Sequence, residues 1–155
     1  EGIMVGVGES VADRARSILI MRDLGVDQMR AMSFVPQHNT PMAEVVPSPF
    51  LDELVTLAVM RLLHPTKLIP ASLDIEGIAG LSSRLDAGAN VITSIIPPMK
   101  GLAGVAQHEL DIDDGCRSME NVECVLDELV AQKASMADYT GLLKRWMDDR
   151  RTIEA

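Results

Sequence analysis

Four short apolar runs, each followed by a helix-patterned segment, constrain this chain more than any other feature. They lie at residues 3–7, 29–35, 68–73 and 90–96. The first, Ile3 to Val7, is unbroken by polar residues, as expected of a parallel strand covered on both faces. Strands alternating with helices of 12 to 15 residues require right-handed βαβ units and a parallel sheet. Four such units make half of a (β/α)8 TIM barrel, and a small doubly wound domain would show the same pattern; the count alone leaves both open. The chain opens with Glu1-Gly2 against the first strand and without an initiator Met, so the reading expects the back half of a larger α/β protein.

The helix signals are local. Ser10 can cap the first helix with Asp13 three residues on, Val11, Ala15, Ile18, Leu19 and Arg22 mark one face, and Gly25 ends it. Ser48 and Pro49 give a cap-then-Pro start to the second, whose stripe is Leu51, Leu54, Val55, Ala58 and Leu62 and whose stop is Pro65. The third is expected over residues 75–87, with Ile78, Leu81 and Leu85 inward and Gly88 as the stop. After Pro97-Pro98 the alternation ends. Residues 100–115 read as an acidic loop over one end of the sheet. A helix over 119–133 follows, with Val122, Val125, Leu126, Leu129 and Val130 inward, then one over 136–150 capped by Ser135 and Asp138. In the last, Tyr139, Leu142, Leu143, Trp146 and Met147 form a stripe read as core packing, and Asp148 to Arg151 as a solvated face. Residues 1–98 are thus expected to form the half-barrel and residues 99–155 a loop and helices packing on it.

Composition narrows the partners. With 155 residues and 47% hydrophobic content the chain can bury one core. A net charge of -9 argues against nucleic acid and anionic membrane surfaces, leaving small molecules. No apolar run approaches the roughly 18 residues of a membrane span, and the start lacks a signal-peptide pattern. Two cysteines, Cys116 and Cys124, fit a reducing compartment, and a cytoplasmic location is the default.

Ligands of parallel sheets sit at the carboxyl ends of the strands. At the first edge, Gly6-Val7-Gly8-Glu9 has the GxG of a dinucleotide turn but Val11 where the third glycine belongs, and a plain tight turn explains it equally. On the second, Arg30 stands among Met29, Ala31, Met32, Phe34 and Val35 and needs an anion: a neighbouring acid, or a ligand carboxylate that matches its fork. At the third, Ser72 and Asp74 share a face by the two-residue period of a strand, although Asp74 also stands where a helix cap would. Arg for a carboxylate with Asp and Ser for an ammonium would suit an amino acid. On the fourth, Ser94 shares a face with Asn90 and could line the same cavity or simply fill core. His38, His64 and His108 are scattered and read as surface or loop residues; the two cysteines match no zinc or iron-sulfur spacing.

The opening Gly2-Ile3-Met4-Val5-Gly6-Val7-Gly8-Glu9 resembles the GxIxGxGE strand of biotin-synthase-like radical S-adenosylmethionine enzymes. Met29-Arg30-Ala31-Met32-Ser33-Phe34-Val35-Pro36-Gln37, Leu68-Ile69-Pro70-Ala71-Ser72-Leu73-Asp74-Ile75-Glu76-Gly77, Arg84-Leu85-Asp86-Ala87-Gly88-Ala89-Asn90 and Thr93-Ser94-Ile95-Ile96-Pro97-Pro98 are similar to the methylornithine synthase branch of that family, which serves pyrrolysine biosynthesis. The resemblance covers nearly all of the chain. It implies a (β/α)8 barrel in which a [4Fe-4S] cluster cleaves S-adenosylmethionine, and the resulting radical starts the rearrangement of L-lysine to 3-methylornithine. It implies substrate contacts at Arg30, Ser72 and Asp74 and places Gly6, Gly8, Val35 and Pro36 near the cofactor; Ser94 is a substrate-binding candidate from its strand face alone.

The family's CxxxCxxC cluster motif has no counterpart in these residues, so the segment by itself is expected to be inactive and to need the other half of its barrel. Two other classes stay open: a different radical enzyme of the same family, and a small nucleotide-binding α/β domain using the Gly6-Val7-Gly8 turn.

Overall fold

The computed structural model describes residues 1–96 and 117–153, with side chains to residue 148. The expected loop at 100–115, His108, Cys116, the Pro97-Pro98 stop and the side chains of the charged tail beyond Asp148 lie outside the described residues. The chain divides into two compact units, Glu1–Val125 and Leu126–Ala155.

In the first unit, β1 (Gly2–Val5) pairs in parallel with β2 (Arg30–Ser33), Gly2 opposite Arg30 and Val5 opposite Ser33. β3 (Pro70–Ser72) pairs in parallel with β4 (Val91–Thr93), Ser72 opposite Thr93. A parallel bridge between Gln28 and Leu68 joins the two pairs, with the Met29 amide donating to the Leu68 carbonyl at 2.9 Å. The described strands therefore follow one another in chain order, each parallel to the last. This is an α/β fold, with the arrangement of consecutive βα units in a partial (β/α)8 barrel. All four strands are shorter than the apolar runs that announce them.

The alternation along β2 assigns its faces. Met29, Ala31 and Ser33 are buried toward the helices, whereas Arg30, Met32 and Phe34 on the opposite face are only half-buried. β3 differs: residues 69–73 are all buried, covered on both sides.

Helix α1 (Val11–Asp23) carries the expected capping box. Ser10 Oγ accepts from the Asp13 amide, and the Asp13 carboxylate accepts from the Ser10 amide at 3.0 Å. Its inward residues are Ile18 and Met21; Val11, Ala15, Leu19 and Arg22 of the expected face are exposed. Helix α2 (Phe50–Leu63) is capped by Pro49 without a side-chain bond, so Ser48 does not cap, and it turns a different face inward than expected. Glu53, Thr56, Leu57 and Met60 are buried, whereas Leu51, Val55 and Leu62 are exposed, Leu62 at 81%. The helix is apolar nearly all round, so periodicity cannot select a face; the bonds of Glu53 do.

The third helical segment is broken. A 3-10 turn (Gly77–Gly80) precedes α3 (Leu81–Asp86), which buries Leu81 and Arg84 while Ile78 and Leu85 remain half-buried. Helix α4 (Met119–Glu128) ends before residue 133 and buries Val122 alone, leaving Val130 exposed.

In the second unit, α5 (Met136–Ile153) has Ser135 and Asp138 in the same reciprocal cap as α1. Its apolar stripe is not the buried seam expected: Tyr139, Leu143 and Met147 are exposed. No helix among the described residues is long and apolar enough to cross a membrane.

Candidate functional site

Asp74 follows the carboxyl end of β3 and is the centre of a polar cluster. Its Oδ2 accepts from Ser72 Oγ at 2.6 Å and from Ser94 Oγ at 2.8 Å, and the two hydroxyls lie 3.4 Å apart. Its Oδ1 faces Arg117 Nη1 at 3.4 Å, a loose pair, because that nitrogen donates at 2.8 Å to the Leu73 carbonyl. Burial pulls the Asp74 carboxyl upward, but the two hydroxyls and the Arg117 charge outweigh it and hold the group below its ordinary value. Asp74 is therefore an anion at neutral pH. It does not cap a helix: the 3-10 turn begins at Gly77 after Glu76, with no side-chain cap bond. Ser94 sits at φ +66, a backbone region that non-glycine residues seldom occupy, and this directs its hydroxyl across the β3–β4 gap.

Arg30 is at the other level of the same sheet. The Gln28–Leu68 bridge puts Arg30 opposite Pro70, two residues further along each strand, so Asp74 is four residues beyond it. At ~3.3 Å per residue that is roughly 13 Å along the strands. Arg30 Nη1 lies 3.9 Å from Met32 Sδ, and no anion pairs with this guanidinium among the described residues.

Between these levels and the strand ends lies a cavity of about 300 Å³, lined by Met4, Met32, Ser33, Phe34, Val35, Asp74 and Ile75. Among the described lining residues Asp74 is the one ionisable group. Val35 is thus placed on the cavity wall; Pro36 follows it outside the lining, and Gly6 and Gly8 occupy the turn after β1.

That turn is pinned by its own acid. Glu9 accepts from the Gly6 amide at 3.0 Å and the Val7 amide at 2.9 Å, with Arg14 beside it at 3.6 Å. Burial raises the Glu9 carboxyl, and these amide bonds and the Arg14 charge bring it below its ordinary value. Gly6 adopts φ +96, and a Cβ there would come 2.7 Å from Ser48 Oγ. Two amides that a phosphate cradle would need are therefore already bonded to Glu9, which speaks against the dinucleotide reading of the turn.

Sequence reasoning missed two basic residues. Arg117 is 1% exposed, and nothing in its local sequence announces burial. Arg84 is 1% exposed as well; its Nε donates to Glu53 Oε1 at 2.6 Å, Nη2 pairs with Glu76, and the guanidinium lies over the Phe50 ring. Glu53 Oε2 in turn accepts from the Ser33 amide at 2.8 Å and Ser33 Oγ at 2.6 Å. The nearly uniform apolar surface of α2 gave no signal that Glu53 would be turned inward to meet Arg84. His64, expected at the surface, is buried at the end of α2; burial, then the charges of Arg22 and Lys67, depress its pKa.

No family model matches the chain. A 3-methylornithine synthase of Methanosarcina barkeri is 39% identical over 143 residues, which are 92% of this chain and 41% of that protein. One from Methanosarcina acetivorans is 38% identical over 144 residues, again 41% of its length. A biotin synthase of Chlorobium luteolum is 44% identical over 69 residues, covering 44% of this chain. Among solved structures, a methylornithine synthase (PylB) superposes with a TM-score of 0.82 at 39% identity, over 91% of this chain and 42% of its own. The chain spans about two fifths of the length of these methylornithine synthases, in their C-terminal part. In sequence and in fold, then, it is similar over nearly its whole length to the C-terminal part of 3-methylornithine synthase, the relative expected from its motifs.

Proposed function

We propose that these residues form the amino-acid pocket of a radical S-adenosylmethionine enzyme that rearranges L-lysine to 3-methylornithine in pyrrolysine biosynthesis. One observation carries the reading. An ionised carboxylate, Asp74, faces a largely apolar cavity while Arg30, whose guanidinium has no anion among the described residues, stands lower on the same sheet. An amino acid supplies the complement of both charges. In this reading Arg30 holds the carboxylate through two parallel bonds, and Asp74 accepts from the ammonium with Ser72 and Ser94 steadying it. Orientation by charges at two levels fixes which carbon of the chain meets the reacting centre. Met4, Met32, Phe34, Val35 and Ile75 supply an apolar wall that would keep water from a carbon radical once the barrel is closed.

The cluster does not fit the residues present. The chain has two cysteines, Cys116 and Cys124, and no group of three His, Cys, Asp or Glu among the described residues could hold a metal. We therefore assign the cluster to residues other than these, and the segment alone is inactive. S-adenosylmethionine, when bound, supplies the 5'-deoxyadenosyl radical; Val35 and Pro36 with the Gly6–Gly8 turn are the side we assign to it. Residues 1–98 would then close a barrel with a partner half, with residues 99–155 packed on it, and the whole would work in the cytoplasm.

The test is the full-length protein, reconstituted without oxygen and supplied with L-lysine, with 3-methylornithine read by mass spectrometry. Product formation supports the reading; cofactor cleavage without it points to another biotin-synthase-like reaction, a second reading favoured by the biotin synthase similarity over residues of this chain. Lysine-dependent product from the 155 residues alone would overturn the inactivity of the segment.

A further inference from the structure

We propose that Arg117 is a positioning residue for the ammonium end of the pocket, holding the Asp74 carboxylate so that Oδ1 is the atom offered to a bound amine. This deepens the amino-acid reading and rests on it.

The two oxygens of Asp74 are treated unequally. Oδ2 takes two short hydroxyl bonds, from Ser72 and Ser94, which occupy its accepting directions. Oδ1 has only the 3.4 Å approach of Arg117 Nη1 and keeps room for a further donor. Arg117 itself is locked. Its Nη1 bonds the Leu73 carbonyl, and its own carbonyl accepts from the Ile96 amide at 2.9 Å, so one residue ties the chain before α4 to the ends of β3 and β4. Its Nε and Nη2 have no hydrogen-bond partner among the described residues, although the side chain is fully buried. A buried guanidinium kept so incompletely satisfied is costly, and the anion it meets is Asp74.

The environment leaves few competitors for this role. Among the described residues the remaining cavity wall, Met4, Met32, Ser33, Phe34, Val35 and Ile75, carries no titratable group. Glu76, two residues on, is engaged by Arg84. Among the described residues Arg117 is the cation that faces Asp74, and it adds its charge to the two hydroxyl bonds that hold the carboxylate ionised.

The experiment uses the full-length protein, with L-lysine as the probe in calorimetric titrations between about pH 5 and 8. The wild type should bind with little pH dependence. Arg117→Met should lose affinity toward the acid side and recover it toward the alkaline side, because Asp74 then protonates at higher pH; Arg117→Lys, which keeps the charge, should restore the flat profile. A uniform loss across the range, or no loss, would overturn the proposal, since a scaffold residue would act alike at every pH. If the wild type binds no lysine, the amino-acid reading fails, and Arg117 is decided by unfolding instead. Urea unfolding of the wild type, Arg117→Met, Asp74→Asn and the double variant should give a coupling between the two residues that fades as pH falls; additive effects would sink the pairing.

Discussion

Two carboxylate–guanidinium clusters occupy neighbouring places in this fold, and they are built to opposite ends. Glu53 and Arg84 are each 1% exposed, and both Glu53 oxygens are consumed, one by Arg84 and the other by the Ser33 amide and hydroxyl. Neither Glu53 oxygen is left over for a ligand, although Arg84 Nη1 has no partner among the described residues. Asp74 with Arg117 has a saturated oxygen and a nearly free one, and the carboxylate lines a cavity. The first cluster joins α2, α3 and the end of β2; the second presents a charge. Burial of an ion pair therefore says little about role until each acceptor has been followed to its donor.

The comparison can be broken from the structural side first. Glu53→Leu should destabilise the protein by about 3–5 kcal/mol, because Arg84 loses its buried partner, and chemical denaturation of the full-length protein would show it. Normal stability in that variant would mean Glu76 alone satisfies Arg84. Arg30→Ala should have the reverse profile: unchanged unfolding, and lysine binding weaker by about tenfold or more, the worth of a charge-assisted pair of about 1.5–3 kcal/mol. Normal lysine affinity there would remove the carboxylate role. Gly6→Ala should cost about 1–3 kcal/mol, from positive φ and the approach to Ser48, with slower or weaker cofactor use if the turn faces the cofactor.

The smallest effects are those of pH on stability. Asp74 is held below its ordinary value of 3.8 and Glu9 below 4.5, so the unfolded chain takes up those protons first. Their contributions are present above these values and drain away as pH falls toward the lower folded ones. His64 has the same sign at higher pH: its folded value lies below 6.5, so stability should begin to fall as pH drops through 6.5, and His64→Phe should flatten that part of the curve. A His64→Phe profile that falls between about pH 7 and 5 as steeply as the wild type would contradict the His64 assignment, and one that stays flat below pH 4.5 would contradict those of Asp74 and Glu9.

Much of the site was readable before folding because strands and caps are governed by near neighbours. Ser72 and Asp74, two residues apart on a strand, had to share a face, and they bond each other. Ser10 with Asp13, and Ser135 with Asp138, formed caps because the bond closes within one turn. Helix faces were read poorly. α2 is apolar on every side, so Leu51, Val55 and Leu62 looked as inward as Leu57 and Met60. What turned it was Glu53, a residue that hydropathy places outside.

The amino-acid sequence by itself determined the βα alternation, the parallel strands, the caps and the pairing of Ser72 with Asp74, since each depends on spacing within a few residues. Tertiary structure alone decided that Arg117 reaches Asp74 from 43 residues away, that Ser94 joins it across 20, and that Arg84 finds Glu53 across 31. Buried charges choose partners by cost: desolvation is repaid only by a counter-charge at bonding distance, and which acid lies within reach depends on how separate strands and helices are packed together.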